Sequence, residues 1–163
     1  MDIIMIGRAG EDGILQVFKE HEKEITGIYP ERYVGEGLRA LEAEFADDQC
    51  MKILDRSGAD VFVVGKQGIF GALYKMGQTL RMGMKIMLKA VPVRQFTIEL
   101  ADRYDLNPYL ISSLGCILAA SADGAHLVSL LNEAGYPACL IGHTTVEKAC
   151  IAITETGQTF LGP

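Results

Sequence analysis

The sequence predicts an α/β domain in which a mixed sheet of about five or six strands packs against helices. Three observations predict it. Short apolar runs rich in β-branched residues alternate with stretches whose apolar residues recur at helical spacing. The segment Ala59-Asp-Val-Phe-Val-Val-Gly-Lys-Gln-Gly-Ile-Phe-Gly-Ala-Leu73 changes from one pattern to the other across a glycine-bounded turn. The 163 residues are 49% apolar and 22% charged, which is enough for a core and argues against disorder.

Taken in order, Asp2 to Ile6 reads as a strand, and Gly7 and Gly10 bracket a turn. Ile14, Val17, Phe18, His21 and Ile25 then share one helical face, which Gly27 closes. His21 has no second histidine at helical spacing, so it reads as a solvated or half-buried side chain rather than a ligand. Pro30 opens the next helix, whose stripe is Val34, Leu38, Leu41 and Phe45, with Glu36, Arg39, Glu42 and Glu44 outside. Asp47 or Asp48 caps a third helix carrying Cys50, Met51, Ile53 and Leu54, a simpler use for the pair than magnesium. Gly58 ends that helix.

Val61 to Val64 form the strand expected in the interior of the sheet. Ile69, Phe70, Leu73, Met76 and Leu80 mark the helix that follows Gly65-Lys66-Gln67-Gly68. Met84 to Leu88 is the next strand, and Pro92 opens a helix with Val93, Phe96, Leu100 and Tyr104 inward. Asn107-Pro108 caps a short helical turn. Ser112 and Ser113 lead into the strand Cys116 to Ala120. Leu127, Val128, Leu131 and Ala134 make another amphipathic helix, closed by Gly135 and Pro137. Strands at Ala138–Gly142 and Cys150–Thr154 finish the chain, so residues 1–163 read as one domain.

The formal charge of −6, with no basic patch interleaved with aromatics, argues against a nucleic-acid partner. No basic leader or small-residue cleavage site opens the chain. The uncharged run from Leu106 to Ala122 contains Asn107, Pro108, Ser112, Ser113 and Gly115, which suits a loop and a buried strand rather than a membrane span. The four cysteines make no C-x-x-C pair and no zinc spacing with histidine. They read as reduced thiols of a cytoplasmic protein.

Known catalytic motifs are missing. A Walker A loop needs glycine where Asp60 stands and Ser or Thr where Gln67 stands. There is no G-x-G-x-x-G after a strand, no H-E-x-x-H and no G-x-S-x-G. No histidine is placed by sequence to activate Ser112 or Ser113, and His126 and His143 are isolated. The turn Gly65-Lys66-Gln67-Gly68 keeps two readings. Its glycines only make the turn, or its free N–H groups and Lys66 hold a small anion at a helix N-terminus, with Ser112 and Ser113 as further donors.

The ordered set of segments resembles the C-terminal domain of the AIR synthase superfamily, in its hydrogenase maturation factor-like branch. The segments are Gly68-Ile-Phe-Gly-Ala-Leu-Tyr-Lys-Met76, Val91-Pro-Val-Arg94, Leu106-Asn-Pro-Tyr-Leu-Ile-Ser-Ser113 and Ala138-Cys-Leu-Ile-Gly-His-Thr-Thr145. The resemblance implies the family's mixed-sheet fold and places Ser112 and Ser113 near the central turn. It also implies that the family's N-terminal nucleotide-binding domain is absent from the sequence. Members carry His-Asp-x-Thr-Glu/Arg-Gly-Gly at that turn. Here Phe62, Val63, Gly65, Lys66 and Gln67 replace the side chains, and Gly68 alone is kept. The resemblance therefore suggests a non-catalytic module for a small anionic ligand or a protein partner, with no catalytic or metal residues and no cofactor of its own. The alternative is one half of a split ATP-dependent enzyme, with ATP and magnesium held by a partner subunit. An apolar face left without its partner domain would favour a homo-oligomer.

Overall fold

Ile3, Ile4, Met5 and Ile6 are all buried, and their strand β1 (Asp2–Ile6) lies in the interior of the sheet. This is a computed structural model, and it describes residues 1–41 and 47–162. The other strands are β2 (Asp60–Val63), β3 (Gly83–Met87), β4 (Ile117–Ser121), β5 (Ala138–Thr145), β6 (Cys150–Thr154) and β7 (Gly157–Phe160). They join in one seven-stranded sheet of order β2-β4-β1-β5-β3-β6-β7. β1 runs antiparallel to both neighbours, with Ile6 opposite Ile117 of β4 and Ala138 of β5. β3 and β6 are parallel, which makes the sheet mixed.

The helices are α1 (Glu11–Glu20), α2 (Glu22–Ile28), α3 (Glu31–Leu41), α4 (Asp48–Arg56), α5 (Gly68–Leu80), α6 (Gln95–Arg103) and α7 (Gly124–Glu133). Strand side chains alternate between two faces. Ile3, Met5, Leu118 and Ala120 pack with Ile69, Leu73 and Met76 of α5. Ile4, Ile6, Ile117 and Ala119 pack with Leu54 of α4 and Leu127 and Leu131 of α7. A separate cluster joins α1, α2, α3 and α6 through Ile14, Phe18, Ile25, Val34, Phe96 and Leu100. Asp47 caps α4 by accepting from the Cys50 N–H at 3.0 Å. The Tyr136 hydroxyl donates to the same carboxylate and holds it below the usual carboxylate range.

The α/β class and mixed sheet are as expected, but β2 is not interior. It pairs with β4 alone and forms an edge of the sheet. Val61 packs on the α4–α7 side and Phe62 on the α5 side, while Val63 is 68% exposed. An all-apolar run signals burial on two faces; here Val63 finds no helix to cover it. The strand β7 escaped the sequence reading because all its residues are exposed. The helix expected through Ile25 breaks at His21, whose ring stacks half-buried on Tyr104 at 4.2 Å. The helix after Pro92 begins only at Gln95, with Arg94 extended before it. Glu42, Glu44 and Phe45 lie outside the described residues. Among the described residues, no helix is long and apolar enough to cross a membrane.

Candidate functional site

Antiparallel pairing brings the C-terminal ends of β1 and β2 beside the start of β4, since Ile6 and Val63 both face Ile117. The loops that leave and enter the sheet there must meet. They are the β1–α1 loop, the β2–α5 turn, the stretch before α6 and the segment 107–116. The Ala9 N–H donates to the Pro92 carbonyl at 2.8 Å, and the Val64 N–H to the Cys116 carbonyl at 3.0 Å.

The segment 107–113 wedges between the N-termini of α1 and α5. Its carbonyls and one hydroxyl take up donors that a helix start leaves free. The Phe70 N–H donates to the Tyr109 carbonyl at 3.0 Å, and the Gly13 N–H to the Ser112 carbonyl at 2.9 Å. The Ser113 hydroxyl is buried and accepts from the Gly10 N–H at 2.7 Å. The Ser113 N–H donates to the Gly65 carbonyl at 3.2 Å. Phe70 stacks on Tyr109 with centroids 5.1 Å apart.

The Gly65 carbonyl thus brings Gly68 and Ser113 together, Ser113 being placed near this turn in the sequence by the family resemblance alone. Ser112 sits beside them but turns to α1, where its hydroxyl donates to the Asp12 carboxylate. Two of the donors are committed within the protein: the Gly68 N–H goes to the Gly65 carbonyl at 3.2 Å and the Phe70 N–H to Tyr109. Lys66 and Gln67 are exposed. The Gln67 amide folds back over Gly65, where an added Cβ would lie 2.9 Å from its Oε1.

Behind this loop cluster sits an ion pair that no local spacing announced. Arg94 Nε donates to Glu11 Oε1 at 2.6 Å, and Glu11 is 6% exposed. Burial pushes the Glu11 carboxyl up, while Arg94 and then Arg8 pull it back. The Cys116 thiol donates to the Arg8 carbonyl at 3.1 Å, and burial together with Glu11 pushes its pKa up to about 12. All four cysteines are free, and Cys50 and Cys116 are buried. A buried thiol raised this far is a packing group rather than a nucleophile.

Magnesium takes oxygen ligands. At the positions where the resembling family has His, Asp and Thr, this turn has a core-packed Phe62, an exposed Val63 and Gly65. These three side chains supply no oxygen ligand for magnesium. Val63, Leu110 and Leu114 instead leave this end of the sheet studded with exposed apolar side chains at 68%, 55% and 50%.

No protein-family model and no curated protein matches the sequence. Solved structures match its fold over nearly the whole chain. HypE from a HypE–HypF complex has a TM-score of 0.77 at 17% identity, covering 99% of this chain and 52% of that one. T. maritima PurL complexed with ATP has a TM-score of 0.60 at 15% identity, covering 99% and 24%. Thiamine-monophosphate kinase from Stenotrophomonas maltophilia has a TM-score of 0.66 at 19% identity, covering 90% and 48%. These are AIR synthase-related proteins, so the fold suggested by the ordered segments is the fold observed. The chain spans about half the length of the HypE chain that it matches.

Proposed function

We propose that this domain is a binding module of the AIR synthase-related fold, which engages a protein partner or a small anion at its loop end and does not itself turn over ATP. The carrying observation is the β2–α5 turn. Its side chains are Phe62, Val63, Lys66 and Gln67, and at the helix start the Gly68 N–H is bonded to the Gly65 carbonyl and the Phe70 N–H to the Tyr109 carbonyl. Lys66 is the cation that remains exposed for an anion, and Val63, Leu110 and Leu114 suit a protein surface.

Calorimetry on the chain alone is expected to show no saturable Mg-ATP binding below ~100 μM. A micromolar complex overturns the reading. In the same cell, phosphate binding weakened by Lys66→Ala supports the anion, and phosphate binding indifferent to Lys66→Ala removes it. The apolar loop end also gives the module a surface for self-association. Light scattering is expected to report a dimer that Leu114→Asp converts to monomer; a monomer at high concentration counts against that surface.

A second reading is one half of a split ATP-dependent enzyme. It is favoured by the chain's spanning about half of HypE and matching a part of an ATP-bound PurL. Copurification of a nucleotide-binding subunit that confers ATP hydrolysis supports this second reading, and its failure leaves the module alone.

A further inference from the structure

A cleft lies at the opposite end of β4 from the loops described above. It is bounded by the C-terminus of α4, the end of β4 and the start of α7, and it measures about 620 Å³. That is within the range of small-molecule pockets, about 300–1,000 Å³. Small residues make the space: Gly58, Ala120 and Ala122 line it. Ile53, Leu127 and Leu130 form its apolar wall, with Leu127 buried and Leu130 38% exposed.

Most polar groups around the cleft already have partners. Asp123 accepts from the His126 N–H at 3.2 Å, and Asp2 accepts from the Gly124 N–H at 2.9 Å. The first donors of α7 are thus taken, and the helix start is not what recommends the site. Ser121 accepts from the Asp123 N–H at 3.2 Å, and the Ser57 hydroxyl donates to the Leu54 carbonyl at 2.6 Å. Two side chains at the rim differ. Among the described residues, the Arg56 guanidinium forms no ion pair, and neither it nor the His126 ring has a hydrogen-bond partner.

We propose that this cleft binds a small molecule with an apolar body and a single carboxylate, the body against Ile53, Leu127 and Leu130 and the carboxylate on Arg56. A guanidinium at the mouth of an apolar cleft matches a carboxylate in a planar, two-bond geometry and repels an ammonium. His126 supplies a further donor beside it. Asp123 discourages a second negative charge, which selects a monoanion over a polyphosphate.

The test uses matched probes of one body and opposite charge, 4-phenylbutyrate and 4-phenylbutylamine, followed by backbone amide shifts in NMR. The carboxylate is expected to give saturable shifts below ~5 mM, clustered at Arg56–Gly58 and Ser121–Leu127. The amine is expected to bind at least about tenfold more weakly. Arg56→Gln is expected to remove that preference, and Leu130→Asp to weaken both probes. Both positions are exposed, so the variants should fold, and an unchanged amide spectrum elsewhere checks it. Shifts that do not saturate or do not cluster overturn the proposal. So does an amine that binds as well as the carboxylate, or a preference that survives Arg56→Gln.

Discussion

Gly68→Ala is expected to destabilise the protein by about 3–5 kcal/mol and to lower its melting temperature by roughly 10 °C or more. Gly68 has φ +76, a left-handed conformation that a side chain makes unfavourable by about 1–2 kcal/mol. The larger effect is contact. An added Cβ would lie 2.7 Å from the Ile111 carbonyl oxygen, the Leu110 carbonyl carbon and the Tyr109 carbonyl oxygen. All three are backbone atoms, so no side chain can swing aside. The segment 107–113 would have to retreat, and the Phe70 to Tyr109 and Gly10 to Ser113 hydrogen bonds would go with it. Gly58→Ala is the matched control. Gly58 has φ +74 but nothing within 4 Å of an added Cβ, so only the conformational part, about 1 kcal/mol, remains. Urea unfolding of both variants separates the two parts. If Gly68→Ala is no worse than Gly58→Ala, the wedge of residues 107–113 does not hold the turn.

The same wedge shows where the sequence could be read and where it could not. A strand buried on both faces is an unbroken apolar run, and β1 and β4 were legible for that reason. The run at Val61–Val64 looked the same, yet β2 is an edge, because nothing in one strand's composition says how many neighbours it has. The Gly65–Gly68 turn opens a helix as its glycines suggested. The sequence leaves two readings of its donors open, because the acceptors of the Phe70 and Gly68 N–H groups, carbonyls of residues 109 and 65, carry no side-chain signature. Ser112 and Ser113 were placed near the turn by family likeness, but the direction of each hydroxyl depends on α1, far away in sequence. Arg56 and His126 sit on different helices with no periodic relation, so their cleft had no trace in the sequence.

Arg94→Ala is expected to destabilise the protein by about 2–4 kcal/mol at pH 7, and by distinctly less at pH 5. Removing one partner of a buried pair leaves the other charge uncompensated, and Glu11 is 6% exposed. The Arg94 side chain is 26% exposed, which places the effect toward the lower part of the range for fully buried pairs. Desolvation already raises the Glu11 carboxyl above its unfolded value, and Arg94 opposes that rise by hydrogen bond and by charge. Without Arg94 the carboxyl rises further, leaving Arg8 as the remaining positive neighbour. A raised folded pKa means that the folded state holds the proton more tightly than the unfolded chain does. The associated stability is fully present below the unfolded pKa and is lost as pH rises through the folded one. The deficit of Arg94→Ala relative to wild type must therefore shrink on acidification, whatever the other carboxylates do in both proteins. Glu11→Gln removes the charge outright, so in the Arg94→Ala background it is expected to restore stability at pH 7 and to change little at pH 5. Urea midpoints for wild type, the single variant and the double variant at the two pH values decide this. A deficit equal at both pH values would show that Arg94 supports the loop cluster by packing alone.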